Sequence, residues 1–260
     1  MEAAKTVKKS IVSGEFEPFA YEKEVKVAFS DNVGIQGKID RLDICRRDGI
    51  NEYRIIDYKT GKQDFSVSEV YNRYDMQPVI YAAVMRMLDD KSMISGMYYS
   101  KVRNDYATLK SGGRIATAAS HLKANTELSG VTFADTDENG DITPESADRI
   151  ESEFAREEDP LIFKKGVQTG GNIRSREAGE RLIEKVCGNV MDMDREIRIG
   201  SIDISPLDHK TSQVSQKDAA SSCKYCDYKE VCKFDEAICR VRKIKESDNE
   251  VWQLLENDEV

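Results

Sequence analysis

The chain has neither a long apolar run nor the features of a secreted protein. No hydrophobic stretch approaches the roughly 20 consecutive apolar residues that cross a bilayer, and no signal-peptide pattern opens the sequence. The six cysteines do not form a small disulfide scaffold, because the chain of 260 residues is too long and the cysteines cluster near one end. These absences predict a cytoplasmic protein without a membrane partner, long enough for one α/β domain with a full core.

The chain also lacks an excess of positive charge, since 48 acidic residues outnumber 39 Lys and Arg and give a net charge of −9. The imbalance is local. Between Ala134 and Asp159, eleven acidic residues are opposed only by Arg149 and Arg156, and eleven minus two equals the whole net charge. Affinity for DNA depends on the local basic footprint, so a DNA partner is not excluded. We expect an acidic insertion at about residues 130–165 that lies outside any DNA path.

Two neighbouring strand patterns carry the strongest chemical signal. Gly37–Asp43 reads Gly-Lys-Ile-Asp-Arg-Leu-Asp, and Ile55–Gly61 reads Ile-Ile-Asp-Tyr-Lys-Thr-Gly. Side chains two apart on a strand share a face, so Asp57 and Lys59 point the same way, and Asp40 can join them from the adjacent strand. Two carboxylates can hold a hard divalent cation, and a nearby ammonium can position a water. These groups suffice for metal-assisted hydrolysis of a phosphodiester.

An Asp-x-Lys triplet alone also fits an ordinary solvated strand. The context favours the catalytic interpretation, because the charged pair stands within the strand and before the turn at Thr60-Gly61. Asp43 is different. On a regular strand it points with Arg41 and away from Asp40, which predicts a structural salt bridge on that side.

Periodicity predicts the elements around these residues. Strands are expected at 21–30, 35–45, 53–59, 94–102 and 131–133, and helices at 3–12, 145–156 and 177–193. The alanine-rich segment 114–123 is expected to be either a helix or disordered. A polar hairpin loop at 46–52 contains Asp48-Gly49. A further helix is expected to run to about Asp89, with Asp75 as its N-cap and Pro78 in its first turn, where a missing N–H costs little. A mixed α/β sheet of about five strands with flanking helices results.

The cysteines near the C-terminus form a second candidate site. Cys223-x2-Cys226-x5-Cys232 has the close spacing of a metal site in a cytosolic protein. Three thiolates suit either zinc or an iron–sulfur cluster, and both need a fourth ligand, for which Cys239 is a candidate. Three free thiols remain the simpler alternative.

Taken together, the motifs resemble those of a known family. Gly37-x-Ile39-Asp40-Arg41-x-Asp43, Ile56-Asp57-Tyr58-Lys59-x-Gly61 and Gln77-x3-Tyr81, followed by the cysteine segment, look like the RecB-type nuclease domains of the PD-(D/E)XK superfamily, in particular the domain that ends the AddB family of helicase–nuclease proteins. The resemblance spans about Glu22 to Asp235. It implies a restriction-endonuclease-like fold and a DNA exonuclease that acts in the repair of double-strand ends.

The resemblance also implies roles and partners. Mg²⁺ or Mn²⁺ would be bound by Asp40, Asp57 and the Tyr58 carbonyl, with Lys59 orienting the attacking water. Gln77 and Tyr81 would line the site and contact single-stranded DNA. An AddA-type helicase–nuclease would be the protein partner. In the family, the three cysteines bind a [4Fe–4S] cluster with a fourth cysteine upstream of the nuclease motifs, so we expect this chain to be a fragment without an intact cluster.

The expected organisation is a single nuclease domain over residues 1–260. Its core comprises about 20–110 and 171–210, and the cysteine-containing segment comprises 221–260. Two other functions remain open: a nuclease-fold module that binds DNA ends or a partner without cleaving, and an interaction domain stapled by a metal at the cysteines. Metal-dependent cleavage separates the first function from both alternatives.

Overall fold

A computed structural model of the protein describes residues 15–61, 63–101, 128–147, 150, 172–208, 223, 226–235 and 239–257. The helix predicted at 3–12 and the alanine-rich segment 114–123 lie outside these residues. Of the helix predicted at 145–156, the structure describes residues 145–147 and 150, which are helical, and the helix begins one residue earlier, at 144.

Six strands form one mixed sheet in the order β1-β2-β3-β4-β5-β6. They are β1 (Glu17–Ala28), β2 (Gly34–Arg47), β3 (Ile50–Lys59), β4 (Ser92–Lys101), β5 (Leu128–Ala134) and β6 (Ile173–Ser175). Strands β1 to β3 form an antiparallel meander, β3 and β4 are parallel, β4 and β5 are antiparallel, and β5 and β6 are parallel. The predicted mixed sheet is confirmed, with six strands in the described residues.

The hairpin between β2 and β3 is tighter than predicted. Arg47 pairs with Ile50, so the connection is the two residues Asp48 and Gly49, with φ of 50° and 79°. Positive φ at both positions is the geometry of a type I′ turn, whose twist matches that of the flanking strands. The expected loop at 46–52 was too long because its polar residues continue the strand pairing.

The described helices are α1 (Val67–Tyr71), α2 (Gln77–Leu88), α3 (Arg176–Arg198), α4 (Lys229–Cys232) and α5 (Asp248–Glu256). The helix predicted at 177–193 is α3, which begins at the Ser175 cap. The N-cap of α2 is Met76, and no side chain caps it, so the predicted Asp75 cap is wrong by one residue. Pro78 does lie in the first turn, and the parallel crossover from β3 to β4 passes through α1 and α2.

The helices and the sheet share one apolar core. Leu42 and Ile44 of β2 and Ile55 of β3 pack in it with Val79 of α2 and Leu182 of α3, all fully or nearly fully buried. Helix α5 was not predicted. It packs its buried Trp252 edge-on against Phe133 of β5, with ring centroids 6.4 Å apart.

A second, two-stranded sheet pairs β7 (Leu207–Asp208) with β8 (Arg242–Lys243). This pair joins the two ends of the stretch that contains the C-terminal cysteines. Among the helices that the structure describes, none combines the length and the apolar character needed to span a membrane.

Candidate active site

Acidic residues lie on β2 and β3 at the point where the pairing of these two strands ends. On β2, Ile44 and Leu42 belong to the core, and Asp40 is next in the row. On β3, Ile55 belongs to the core, and Asp57 is next. The pairing of the two strands ends at Arg41 and Ile56, one residue before the two acids. Both acids therefore follow core residues along their strands, at the point where the ladder between β2 and β3 ends.

Asp40 is tied directly to the neighbouring strand. Its Oδ2 accepts a hydrogen bond of 2.8 Å from the backbone N–H of Tyr58. This bond takes the place of a ladder bond and fixes the carboxylate of Asp40 beside the Asp57–Lys59 segment. The predicted residues Asp40, Asp57, Tyr58 and Lys59 are thus brought together.

The Lys59 ammonium sits among two carboxylates and an aromatic ring. Its Nζ lies 2.9 Å from Asp57 Oδ2 and 3.8 Å from Asp75 Oδ1, and 4.5 Å from the ring centroid of Tyr99. The Tyr99 hydroxyl donates a 2.6 Å hydrogen bond to Asp75 Oδ2. Sequence reasoning missed Asp75, which it assigned to a helix cap, and Tyr99, which it placed in a strand without a role.

The electrostatics of the site favour a cation. Asp57 is 4% exposed, and burial raises the pKa of its carboxyl. Lys59 lowers this pKa, whereas the charges of Asp40 and Asp75 raise it, and the net shift is upward. Clustered carboxylates with a raised pKa are relieved by binding a positive charge.

The donor set fits a hard cation such as Mg²⁺. Within the described residues, no group of three or more His, Cys, Asp or Glu side chains is arranged to hold a metal ion. Mg²⁺ needs fewer, because it commonly binds one or two carboxylates and completes its shell with waters and substrate phosphates. Asp40 and Asp57 supply two such carboxylates, next to the backbone of Tyr58.

Gln77 and Tyr81 stand where helix α2 crosses β2. Gln77 Nε2 donates to the Tyr81 hydroxyl at 3.3 Å, and the backbone N–H of Lys38 donates to the same oxygen at 3.3 Å. The Tyr81 ring lies against Gly37, where a Cβ would stand 2.9 Å from the hydroxyl oxygen. The glycine of the first motif therefore permits the close approach of the tyrosine of the third. Gln77 and Tyr81 therefore pack, from helix α2, against β2, the strand that also bears Asp40.

Asp43 lies on the opposite face from Asp40. Its two carboxylate oxygens accept hydrogen bonds of 2.7 and 2.6 Å from Nε and a terminal nitrogen of Arg41. Both residues are 4% exposed. The predicted structural salt bridge is confirmed.

The C-terminal cysteines are not gathered into a site. Cys226 is exposed, and Cys223, Cys232 and Cys239 are half-buried. These four cysteines are among the described residues, and within those residues no three metal-binding side chains are grouped to hold a metal ion. Their arrangement does not fit a cluster or a zinc ion by itself.

The described part of the acidic segment starts at the other end of the sheet. Residues 130–134 belong to β5, so the segment begins after Ala134. Tyr99, beside Asp57 in the sheet, pairs with Ser129 of β5. Ala134 lies five residues further along β5, or about 17 Å at the usual rise per residue. Its first acid, Asp135, is bound to Arg176 at 2.6 Å.

The fold and the site define a class of protein. The PD-(D/E)XK nuclease superfamily matches residues 2–233, and the chain belongs to this superfamily. Nucleases of this superfamily use divalent metal ions, in accord with the carboxylates of Asp40 and Asp57 where the ladder between β2 and β3 ends.

The chain is also similar to particular proteins. The B subunit of the ATP-dependent helicase/deoxyribonuclease of Clostridium kluyveri is 26% identical over 254 residues, which cover 94% of this chain and 21% of that protein. The proteins of the same name from Clostridium botulinum strain Hall and Clostridium acetobutylicum are each 28% identical and cover 94% of this chain. The chain spans about a fifth of the length of these relatives.

Proposed function

We propose that this chain is the metal-dependent DNA nuclease domain of a helicase–nuclease that processes double-strand DNA ends for recombinational repair. The observation that carries the proposal is the convergence of Asp40, Asp57 and Lys59 where the ladder between β2 and β3 ends. The names of the relatives, which join helicase and deoxyribonuclease, support the DNA substrate.

Each residue has a distinct part in this proposal. Asp40, Asp57 and the Tyr58 carbonyl bind Mg²⁺ or Mn²⁺, which supplies Lewis-acid activation of water and of the scissile phosphate when bound. An extended residue directs its N–H and C=O to the same edge of the strand, so the Tyr58 carbonyl faces the side of Asp40, to which its N–H donates. Lys59 orients the attacking water and stabilises negative charge on the phosphate.

Gln77 and Tyr81 contact the DNA strand. Two donors already point at the Tyr81 hydroxyl oxygen, so its proton is available to an outside acceptor such as a phosphate oxygen. The substrate is single-stranded DNA at a processed end. The relatives are each one component of a larger helicase/deoxyribonuclease, which supports an AddA-type helicase–nuclease partner, and this role agrees with a cytoplasmic location.

The domain organisation belongs to the same proposal. A single nuclease domain comprises the sheet and its helices, and the acidic segment that follows Ala134 lies outside the DNA path because its charge repels phosphates. Its start at the far end of β5 from Asp57 supports this placement.

The cysteines have a separate role in the proposal. Cys223, Cys226 and Cys232 are three ligands of a [4Fe–4S] cluster in the full-length parent, with a fourth cysteine elsewhere in it. Their spacing supports this assignment. Iron and zinc analysis of this chain and of a longer form tests it: stoichiometric iron only in the longer form is expected, and stoichiometric zinc in both forms replaces the cluster with a zinc site.

The cleavage test uses the full chain, a labelled single-stranded oligonucleotide and Mg²⁺ or Mn²⁺. We expect Asp57→Ala to abolish cleavage while the unfolding midpoint stays near that of the wild type. The control is Asp64→Asn, a nearby exposed acid that is bound to Lys101. An Asp57→Ala variant that cuts at the wild-type rate refutes the assignment. A wild type that binds DNA and never cuts it identifies a non-catalytic module.

A further inference from the structure

Lys59 is in contact with a carboxylate outside the proposed metal ligands. Asp75 Oδ1 lies 3.8 Å from Lys59 Nζ, and the side chains of both residues are more than 80% buried. We propose that Asp75, anchored by Tyr99, is the positioning residue that holds the Lys59 ammonium for DNA cleavage. This inference rests on the function proposed above and adds a residue to its machinery.

The two oxygens of Asp75 have different partners. Oδ2 accepts hydrogen bonds of 2.6 Å from the Tyr99 hydroxyl and 2.6 Å from Gln63 Nε2. Oδ1 faces Lys59. Burial and the charge of Asp75 raise the pKa of Tyr99, so its hydroxyl stays protonated and continues to donate. The carboxylate is therefore oriented by neutral donors on one side and presents its other oxygen to the ammonium.

The backbone at Asp75 adopts an uncommon conformation that directs its side chain towards Lys59. Asp75 has φ of 45° and Arg73 has φ of 66°, a left-handed region that non-glycine residues seldom occupy. Arg73 is bound to Asp192 and Glu196 of α3 at 3.3 and 2.8 Å, which ties this turn to the longest described helix. The unusual backbone is held by the fold, and its result is a carboxylate directed at Lys59.

Asp75 has a task that Asp57 cannot carry out alone. Asp57 also contacts Lys59, at 2.9 Å, but its carboxylate is proposed to bind the metal. A second anchor that does not depend on Asp57 keeps the ammonium in place whether or not Asp57 is engaged. The Tyr99 ring, whose centroid lies 4.5 Å from Nζ, restricts the movement of the ammonium on a third side.

The main variant is Asp75→Asn. Asparagine tolerates the left-handed backbone and keeps an acceptor for Tyr99, so the substitution removes the charge with little else. The control, Asp64→Asn, removes one negative charge near the same end of the sheet from a residue bound to Lys101 and not to Lys59. We expect a fall of about tenfold or more in kcat for Asp75→Asn at saturating DNA, with KM unchanged, and no change in kcat for Asp64→Asn.

Two further variants separate positioning from a merely structural role. In a Lys59→Ala background, Asp75→Asn should cause no further loss of kcat, because the group that it positions is gone. Tyr99→Phe keeps the ring and removes the anchor, so it should lower kcat in the same direction and by less. Equal losses from Asp75→Asn in both backgrounds, or a loss confined to KM, overturn the inference.

A measurement without substrate completes the test. In the metal-free full chain, NMR relaxation of the labelled Lys59 side chain should show a lower order parameter at Nζ in Asp75→Asn and no change in Asp64→Asn. If the wild type cleaves DNA and Asp75→Asn matches it in kcat and order parameter, the positioning role is wrong and the nuclease assignment stands. If the wild type does not cleave DNA but Asp75→Asn loosens Lys59, the proposed function fails instead.

Discussion

The buried pair Arg41–Asp43 offers the most direct test of which motif acids are structural. Asp43→Ala removes one side of a bidentate pair whose side chains are 5% and 6% exposed. It leaves the guanidinium of Arg41 buried without its carboxylate, which costs about 3–5 kcal/mol for pairs of this kind. At about 2–4 °C per kcal/mol for a chain of this size, the melting temperature should fall by about 6–20 °C. Cleavage by the folded fraction should stay within about threefold of wild type, because Asp43 points away from Asp40.

Urea unfolding and calorimetry measure the stability change, and initial cleavage rates at a temperature where both proteins are folded measure kcat. The double variant Arg41→Met with Asp43→Leu is the control, since replacing a buried pair with apolar groups is often neutral or stabilising. It should recover most of the stability lost in Asp43→Ala. The reasoning fails if Asp43→Ala loses less than about 1 kcal/mol, or if folded Asp43→Ala loses kcat by about a hundredfold, because Asp43 would then act in the chemistry.

Three other predictions follow from particular contacts. Because folding raises the pKa of the Asp57 carboxyl, the stabilisation that its protonated form provides is lost as pH rises through the folded-state pKa. Asp57→Asn should therefore be at least as stable as the wild type at neutral pH in EDTA and should lack that pH slope, as urea titrations will show. Gly37→Ala should lower the free energy of unfolding by about 1–3 kcal/mol and reduce cleavage, because its Cβ would lie 3.0 Å from the Tyr81 ring. Gly34→Ala is the control and should change neither, because no atom lies closer than 3.9 Å to its Cβ position. The Asp248 carboxylate accepts hydrogen bonds from the Ser66 hydroxyl and from the backbone of α1. Asp248→Ala should therefore destabilise the docking of α5 by about 1–2 kcal/mol. Amide hydrogen exchange in α5 should become faster, and an unchanged exchange rate contradicts this.

The sequence predicted the sheet around the site because the signal there is local. Alternation with a period of two assigns Asp57 and Lys59 to one face and Asp43 to the other without knowledge of distant contacts. On β3 the same alternation continues through Ile55 and Tyr53 into the core, so Asp57 stands at the end of a core-facing row. Nothing beyond strand geometry was needed to place Asp40 beside them.

The parts that were missed depend on contacts between distant residues. Asp75 is a good N-cap residue by type, but it is used by Tyr99 and Lys59, which lie 24 and 16 positions away, so Met76 begins the helix without a cap. Helix α5 packs Trp252 against a strand more than 100 residues earlier in the chain, which no local pattern reveals. Tyr81 and Gly37 are 44 residues apart, and their close approach is visible only once α2 lies against β2.

The position of the site on the core face has a consequence for stability. Asp57 continues a row of apolar residues, and burial raises its pKa, so the ionised site is a place where the fold is weakened. Such a site gains stability from whatever neutralises it, and a cation that binds only the folded state adds about 1.4 kcal/mol at ten times its dissociation constant. Lys59 supplies part of this neutralisation, and its second contact, with Asp75, leaves Asp57 able to share its charge with a cation. We therefore expect Mg²⁺ to raise the unfolding midpoint of the wild type and to leave that of Asp57→Asn unchanged, because the same carboxylate links cation binding to folding.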